Sequence, residues 1–136
     1  MGAHDEYGKR VLLEAAGTSA VMEGKPIEID YGAGQPARID GAVAGQVAVE
    51  IESRVSKQVR GALMDLIFHP FPKKLVVLLP VHMSNPETTA QQCRFIMRRF
   101  SRDTDFRVVL LKGSGNDPRL DTDADRIRTA LQELGA

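Results

Sequence analysis

Residues 47–54 read VAVEIESR, and the alternation in this stretch decides how the rest of the chain is read. In an extended strand successive side chains point to opposite faces, so Val47, Val49 and Ile51 share one face while Ala48, Glu50 and Glu52 share the other. The first face belongs to a core. The second carries two carboxylates of like charge, which either solvent or a cation has to compensate.

Immediately upstream, ARIDGAV (37–43) forms another short strand joined across Ala44-Gly45, so the two read as a hairpin. With the turn centred on Gly45, Asp40 falls directly opposite Glu50. Opposed residues on antiparallel strands point to the same face with Cβ atoms roughly 5 Å apart. Asp40, Glu50 and Glu52 then converge, whereas a register slip of one residue would send Asp40 to the other side.

Further out, PIEIDYG (26–32) alternates like a strand with one wet face, and residues 4–17 read as a helix with Tyr7, Val11 and Glu14 on one stripe and Gly17 as its stop. Downstream, residues 55–68 place Val59, Leu63, Leu66 and Ile67 on one face of a helix ended by HPFP. KLVVLLP (74–80) and FRVVLL (106–111) are nearly all apolar, as strands covered on both sides are. Between them SNPETTAQQCRFIMRRF reads as a helix opened by a Ser84/Glu87 capping box with Pro86 in its first turn. Its Cys93, Ile96, Met97 and Phe100 face inward, and Arg94, Arg98 and Arg102 run along another face. A last helix, 122–134, carries Ile127, Ala130, Leu131 and Leu134. This order predicts an α/β domain with a mixed β-sheet sandwiched by helices, an antiparallel meander first and crossover-connected strands after it.

The 136 residues suit one domain, and 43% hydrophobic with 26% charged is ordinary for a globular protein. No apolar run reaches the ~20 residues of a membrane helix, and MGAHDEYGKR lacks the apolar core of a signal peptide, so a cytoplasmic location is expected. The single cysteine, Cys93, excludes an internal disulfide and reads as a small buried hydrophobe. A net charge of zero argues against an obligate nucleic-acid binder, but the charges are unevenly spread. Residues 1–52 hold four Lys/Arg and nine Asp/Glu, residues 53–102 nine and two, and residues 103–136 five and seven. An acidic segment beside a basic one suits metal ions flanked by a polyanion, although arginines on solvated helix faces would produce the same count.

Other motifs fail. DTDAD (121–125) imitates a calcium loop, but Arg126 stands where glycine is needed and Gln132 where glutamate is, so these acids read as helix caps. GSG (113–115) lacks both the lysine of a P-loop and the third glycine of a dinucleotide fingerprint. His69 and His82 have no second histidine at ligand spacing.

Three converging carboxylates suit a hard cation, and oxygen ligands are what Mg²⁺ or Mn²⁺ prefer. An exposed sheet edge with scattered acids is the ordinary alternative. The pattern Asp40, Glu50, Glu52 on a hairpin, preceded by a helix holding Glu14 and followed at once by an amphipathic helix, resembles the PD-(D/E)xK nuclease superfamily, the restriction-endonuclease-like fold. The resemblance implies an αβββαβ core, here followed by αβα, with divalent metal between an Asp on the second strand and a (D/E)-x-K pair on the third. Asp40 matches the Asp and Glu50 the second metal ligand, while Glu14 matches the acid that some members supply from the first helix. Glu52 stands where lysine is usual, as in a minority of members with E-x-E. It is then a base or further ligand, or a cation substitutes for the lysine, Lys57 first and Arg54 second, or the site is inactive.

The resemblance thus implies a small Mg²⁺-dependent endonuclease acting on DNA, and a homodimer, since small members cover little duplex. Asp40, Glu50, Glu52 and Lys57 are its catalytic residues, Asp40, Glu50 and Glu14 its metal ligands, and Arg54, Arg60, Arg94, Arg98, Arg99 and Arg102 its nucleic-acid contacts. With 5% aromatic residues, base stacking is not expected. The alternative is an inactive nuclease-fold module for protein or nucleic-acid interaction.

Overall fold

In a computed structural model of the protein, residues 3–32, 34, 36–54, 56–113 and 120–136 are described, except for the side chains of residues 3–5 and 56. Four helices alternate with seven strands among these residues: α1 (Ala3–Ala16), β1 (Ala20–Val21), β2 (Glu28–Ile29), β3 (Ala37–Arg38), β4 (Gly41–Val43), β5 (Val47–Glu52), α2 (Ser56–Phe68), β6 (Lys73–Leu78), α3 (Pro86–Phe100), β7 (Asp105–Leu110) and α4 (Leu120–Glu133). The main sheet runs β1-β4-β5-β6-β7, and β2 and β3 form a separate two-stranded ribbon. β1, β4 and β5 are antiparallel neighbours, whereas β5, β6 and β7 are parallel. The chain is α/β with a mixed sheet between helical layers.

The hairpin has the register that places Asp40 against Glu50. Gly41 pairs with Val49, Ala42 with Ala48 and Val43 with Val47, and the Asp40 amide continues the ladder by donating to the Val49 carbonyl at 3.2 Å. Ala44 and Gly45 both take positive φ, 54° and 66°, to make the turn. That conformation is cheap for glycine and costs alanine about 1 kcal/mol.

Each face of β5 meets its own helical layer. Val43, Val47, Val49 and Ile51 join Tyr7, Val11 and Leu12 of α1 and Ile127 and Leu131 of α4 in one buried cluster. Ala42, Ala48, Val76 and Leu78 join Leu63 and Leu66 of α2 and Cys93 and Met97 of α3 in the other. β5 is therefore buried along its entire length, and the acid-bearing face is not an open sheet edge.

Several elements depart from the expectations. The strand expected over 26–32 shrinks to β2, because Pro26 initiates a 3-10 turn over Lys25–Ile27 and the Asp30 carboxylate accepts the Gly32 amide at 2.6 Å, ending the extended run. The strand expected over 37–43 divides into β3 and β4, and the third strand of the meander is the two-residue β1. Asn85, not Ser84, caps α3, its side chain accepting the Thr88 amide at 3.2 Å. Phe100 lies outside the core, and β7 is an edge strand only partly buried. Cys93 is buried as expected, which pushes its thiol up to about 11. The expected glycine turn at 113–115 lies partly outside the described residues, as does Val55 of the expected second helix. No helix among the described residues is long and apolar enough to cross a membrane.

A buried lysine ties the end of α2 to the ribbon. Lys74 is 1% exposed, and its ammonium donates to the His69 carbonyl, while the His69 ring meets the Pro26 carbonyl through Nε2 at 2.7 Å and accepts the Phe71 amide through Nδ1. These bonds imply the Nε2–H tautomer. Burial pushes Lys74 from 10.5 down to about 8. Between these values the unfolded chain binds more protons than the folded one, so this group's contribution to stability rises with pH across the window. Lys74→Met should raise the urea midpoint at pH 7 by ~1–2 kcal/mol equivalent, with a smaller gain at pH 10. In the hairpin, Ala44→Asn should stabilise by ~0.5–1 kcal/mol in the same measurement, since Asn-Gly suits two consecutive positive-φ positions.

Candidate functional site

The parallel strands end beside the N-terminal half of α2, and there a cleft of about 520 Å³ opens. Glu50 and Glu52 of β5 line it, with Arg54 after the strand, Gln58 and Asp65 from α2, and Tyr31 from beyond the ribbon. Gln58, Ala62 and Asp65 lie at i, i+4 and i+7, which presents one polar stripe of α2 to the acids while Val59, Leu63 and Leu66 serve the core. Gly61 and Ala62 keep the helix surface low between them, leaving space for the cleft.

Asp40 and Glu50 are bound to each other through the hairpin. The Asp40 amide donates to Glu50 Oε1 at 2.8 Å, and the Ile51 amide donates to Asp40 Oδ2 at 2.7 Å. Glu50 is 7% exposed and its carboxyl is pushed up to about 9. Burial is the main cause, followed by the Asp40 carboxylate; the Asp40 amide opposes the rise, while Asp65 and a side-chain hydrogen bond with Asp40 add to it. The pair holds a proton at neutral pH because two carboxylates this close and this dry cannot both ionise.

Glu52, two residues on, is in the opposite state. Its burial alone would raise its pKa, but Arg54 and the main chain outweigh that, and the carboxyl titrates below its usual range. Arg54 grips both oxygens, Nε to Oε2 at 2.9 Å and Nη2 to Oε1 at 2.7 Å, and the Ser53 and Arg54 amides also donate to Oε2. The Arg54 side chain nevertheless remains 66% exposed. It is a cation held in place by the carboxylate.

Asp65 and Tyr31 were missed in the sequence. The Tyr31 hydroxyl donates to Asp65 Oδ1 at 2.5 Å, and its pKa is raised by burial, by that bond, and by the charges of Asp65 and Glu50. The Gln58-to-Asp65 spacing was a usable signal for Asp65, since a polar stripe on a helix otherwise apolar toward the sheet needs something polar to face. Tyr31 had none, because it reaches the cleft only through a loop held by the Asp30 turn, its ring packing tilted against Phe68 at 5.2 Å between centroids.

Other expected residues lie elsewhere. Glu14 is exposed on α1, which packs on the opposite side of the sheet from Glu50, so it does not join Asp40 and Glu50. Lys57 is exposed and does not line the cleft; Gln58 does. Arg60 lies at the cleft margin, Arg94 reaches the Val108 carbonyl of β7 at 3.4 Å, and Arg98, Arg99 and Arg102 share a groove at the end of α3. Asp123 is no helix cap in the ordinary sense: fully buried, it accepts the Tyr7 hydroxyl at 2.6 Å and the Lys112 and Gly113 amides at 2.9 and 2.8 Å, pinning the end of β7 to α1. Among the described residues no group of three His, Cys, Asp or Glu is placed to hold a metal ion. No protein-family model matches the chain, and no curated protein or solved structure gives a match.

Glu50 leaves a thermodynamic signature. The folded carboxyl keeps its proton to about pH 9 and the unfolded one releases it near 4.5, so the folded state binds more protons between them and stability falls as pH rises through that window. Glu50→Gln should therefore be more stable than wild type at pH 8 by ~1–3 kcal/mol in chemical denaturation, the difference vanishing below about pH 4.5.

Proposed function

We propose that this cleft hydrolyses phosphodiester bonds in DNA with the help of a divalent cation, Mg²⁺ or Mn²⁺. The Asp40–Glu50 pair carries the reading: one carboxyl just ahead of β4 and one on β5, each engaged by a main-chain donor, with Glu50 lining a cleft that also holds an arginine. A helix ahead of the antiparallel strands β1, β4 and β5 and another between β5 and parallel β6 is compatible with the element order that the resemblance implies, and this supports the same reading. A homodimer and a cytoplasmic location belong to the proposal.

The donor set fits Mg²⁺. This ion takes one or two carboxylates and fills its remaining positions with water and substrate phosphate oxygens, so no three-residue cage is needed. Asp40 and Glu50 would hold it, and bound there it would lower the pKa of a water and neutralise charge on the phosphoryl group. Glu50 must first give up its proton, which couples ion affinity to pH. Arg54, clamped by Glu52, presents its guanidinium to the phosphate oxygens, and so supplies from two residues further on the positive charge that the motif's lysine would bring. Glu52 serves as the clamp, since its oxygens are already engaged by four donors.

One observation favours the rival, an inactive nuclease-fold module for protein or nucleic-acid interaction: among the described residues no lysine lines the cleft. Plasmid DNA incubated with Mg²⁺ or Mn²⁺ separates the two. Wild type should nick it, Asp40→Ala and Glu50→Ala should not, and Arg54→Ala should lose about 100-fold in rate. Calorimetry should find ion affinity rising up to about tenfold per pH unit below pH 9. Absence of both cleavage and ion binding at millimolar concentrations selects the inactive module, and cleavage that survives both acid substitutions places the chemistry elsewhere.

A further inference from the structure

Three concavities adjoin along the α2–α3 layer. Arg60 lines both the cleft and a groove of about 200 Å³ between α2 and α3, and Phe95 lines that groove and a third one, of about 600 Å³, at the end of α3. Among the described residues the third is lined by Phe95, Arg98, Arg99, Phe100 and Arg102.

This end of α3 is unusual in two ways. Phe95 and Phe100 are 67% and 65% exposed, although large aromatic side chains ordinarily contribute to a core. The side chains of Arg98, Arg99 and Arg102 make no ion pair or hydrogen bond with the described residues. Basic residues at a helix C-terminus complement its dipole, which explains Arg98 and Arg99 locally but leaves the two phenylalanines unexplained. Exposed flat rings interleaved with unneutralised guanidinium groups complement a chain that alternates flat apolar faces with anionic charge.

We propose that the Phe95/Phe100 face binds single-stranded nucleic acid, its bases stacking on the two rings and its phosphates meeting Arg98, Arg99 and Arg102, with Arg60 on the path toward the cleft. A duplex buries its base faces and would use only the arginines. The low aromatic content had argued against stacking, but two of the five phenylalanines are concentrated on this one face. The inference rests on the hydrolytic reading only for the class of polymer and does not require cleavage.

Fluorescence anisotropy with a labelled oligothymidylate and with a duplex of equal length, in EDTA so that no cleavage intervenes, tests it. Wild type should prefer the single strand. Phe95→Ala and Phe100→Ala should each weaken that binding about tenfold with the salt slope unchanged, whereas Arg98→Gln, Arg99→Gln and Arg102→Gln should each lower the slope by about 0.7. Because the readout is binding in EDTA and not cleavage, failure of catalysis and failure of this face are read separately. Both rings are exposed, and circular dichroism checks that the variants fold. Equal or tighter duplex binding, or phenylalanine variants that bind like wild type, overturns the proposal. A wild-type dimer that Phe95→Ala or Phe100→Ala converts to monomer by sedimentation assigns the face to a second copy and overturns it as well.

Discussion

The register between β4 and β5 is the constraint on which the rest of the structure depends. Side chains along a strand repeat every two residues, so the pairing either brings Asp40 to Glu50 or puts it on the other side of the sheet. The Ala44-Gly45 turn sets that pairing, and the reciprocal bonds from the Asp40 and Ile51 amides to the Glu50 and Asp40 carboxyls reinforce it. With β4 on one side and parallel β6 on the other, β5 becomes a central strand covered on both faces, and its two glutamates are withdrawn from water.

The strand accommodates its buried acids in two different ways. Glu52 stays ionised because a guanidinium and two main-chain amides surround it, and an engaged carboxylate of this kind is chemically quiet. Glu50 is buried with the Asp40 carboxylate as its main charged influence and keeps a proton instead. A group whose burial works against stability is what a site with chemistry to perform characteristically contains. Asp123 is the useful contrast. It is more deeply buried than Glu50, yet the Tyr7 hydroxyl and two amides satisfy it, which marks it as a structural pin between α1 and the end of β7.

The neutral net charge conceals a spatial division. The basic middle of the chain folds into α2 and α3, which cover the same face of the sheet that carries Glu50 and Glu52, while Glu14 on α1 lies on the opposite side. The acids lining the cleft and the arginines at the end of α3 therefore share one layer, with Arg60 between them. A polyanion lying along that layer would meet positive charge on its way to the carboxyls.

By itself the sequence determined the alternation of β5, the four helices, the two apolar parallel strands and, through Ala44-Gly45, the pairing of Asp40 with Glu50. All of these are local, because periodicity and turn residues act over a few positions. The same local logic misjudged Glu14, placed inward by its spacing from Tyr7 although the buried stripe runs through Val11 and Leu12. It also drew one strand through 37–43, where the chain instead leaves a small ribbon to join the main sheet. Only the tertiary structure decided that Asp65 and Tyr31 line one cleft with Glu50, that Arg54 turns back on Glu52, and that Phe95 and Phe100 remain in water beside three arginines. Those outcomes depend on how helices seat against the sheet, and contacts between residues distant in the chain leave no period in the sequence.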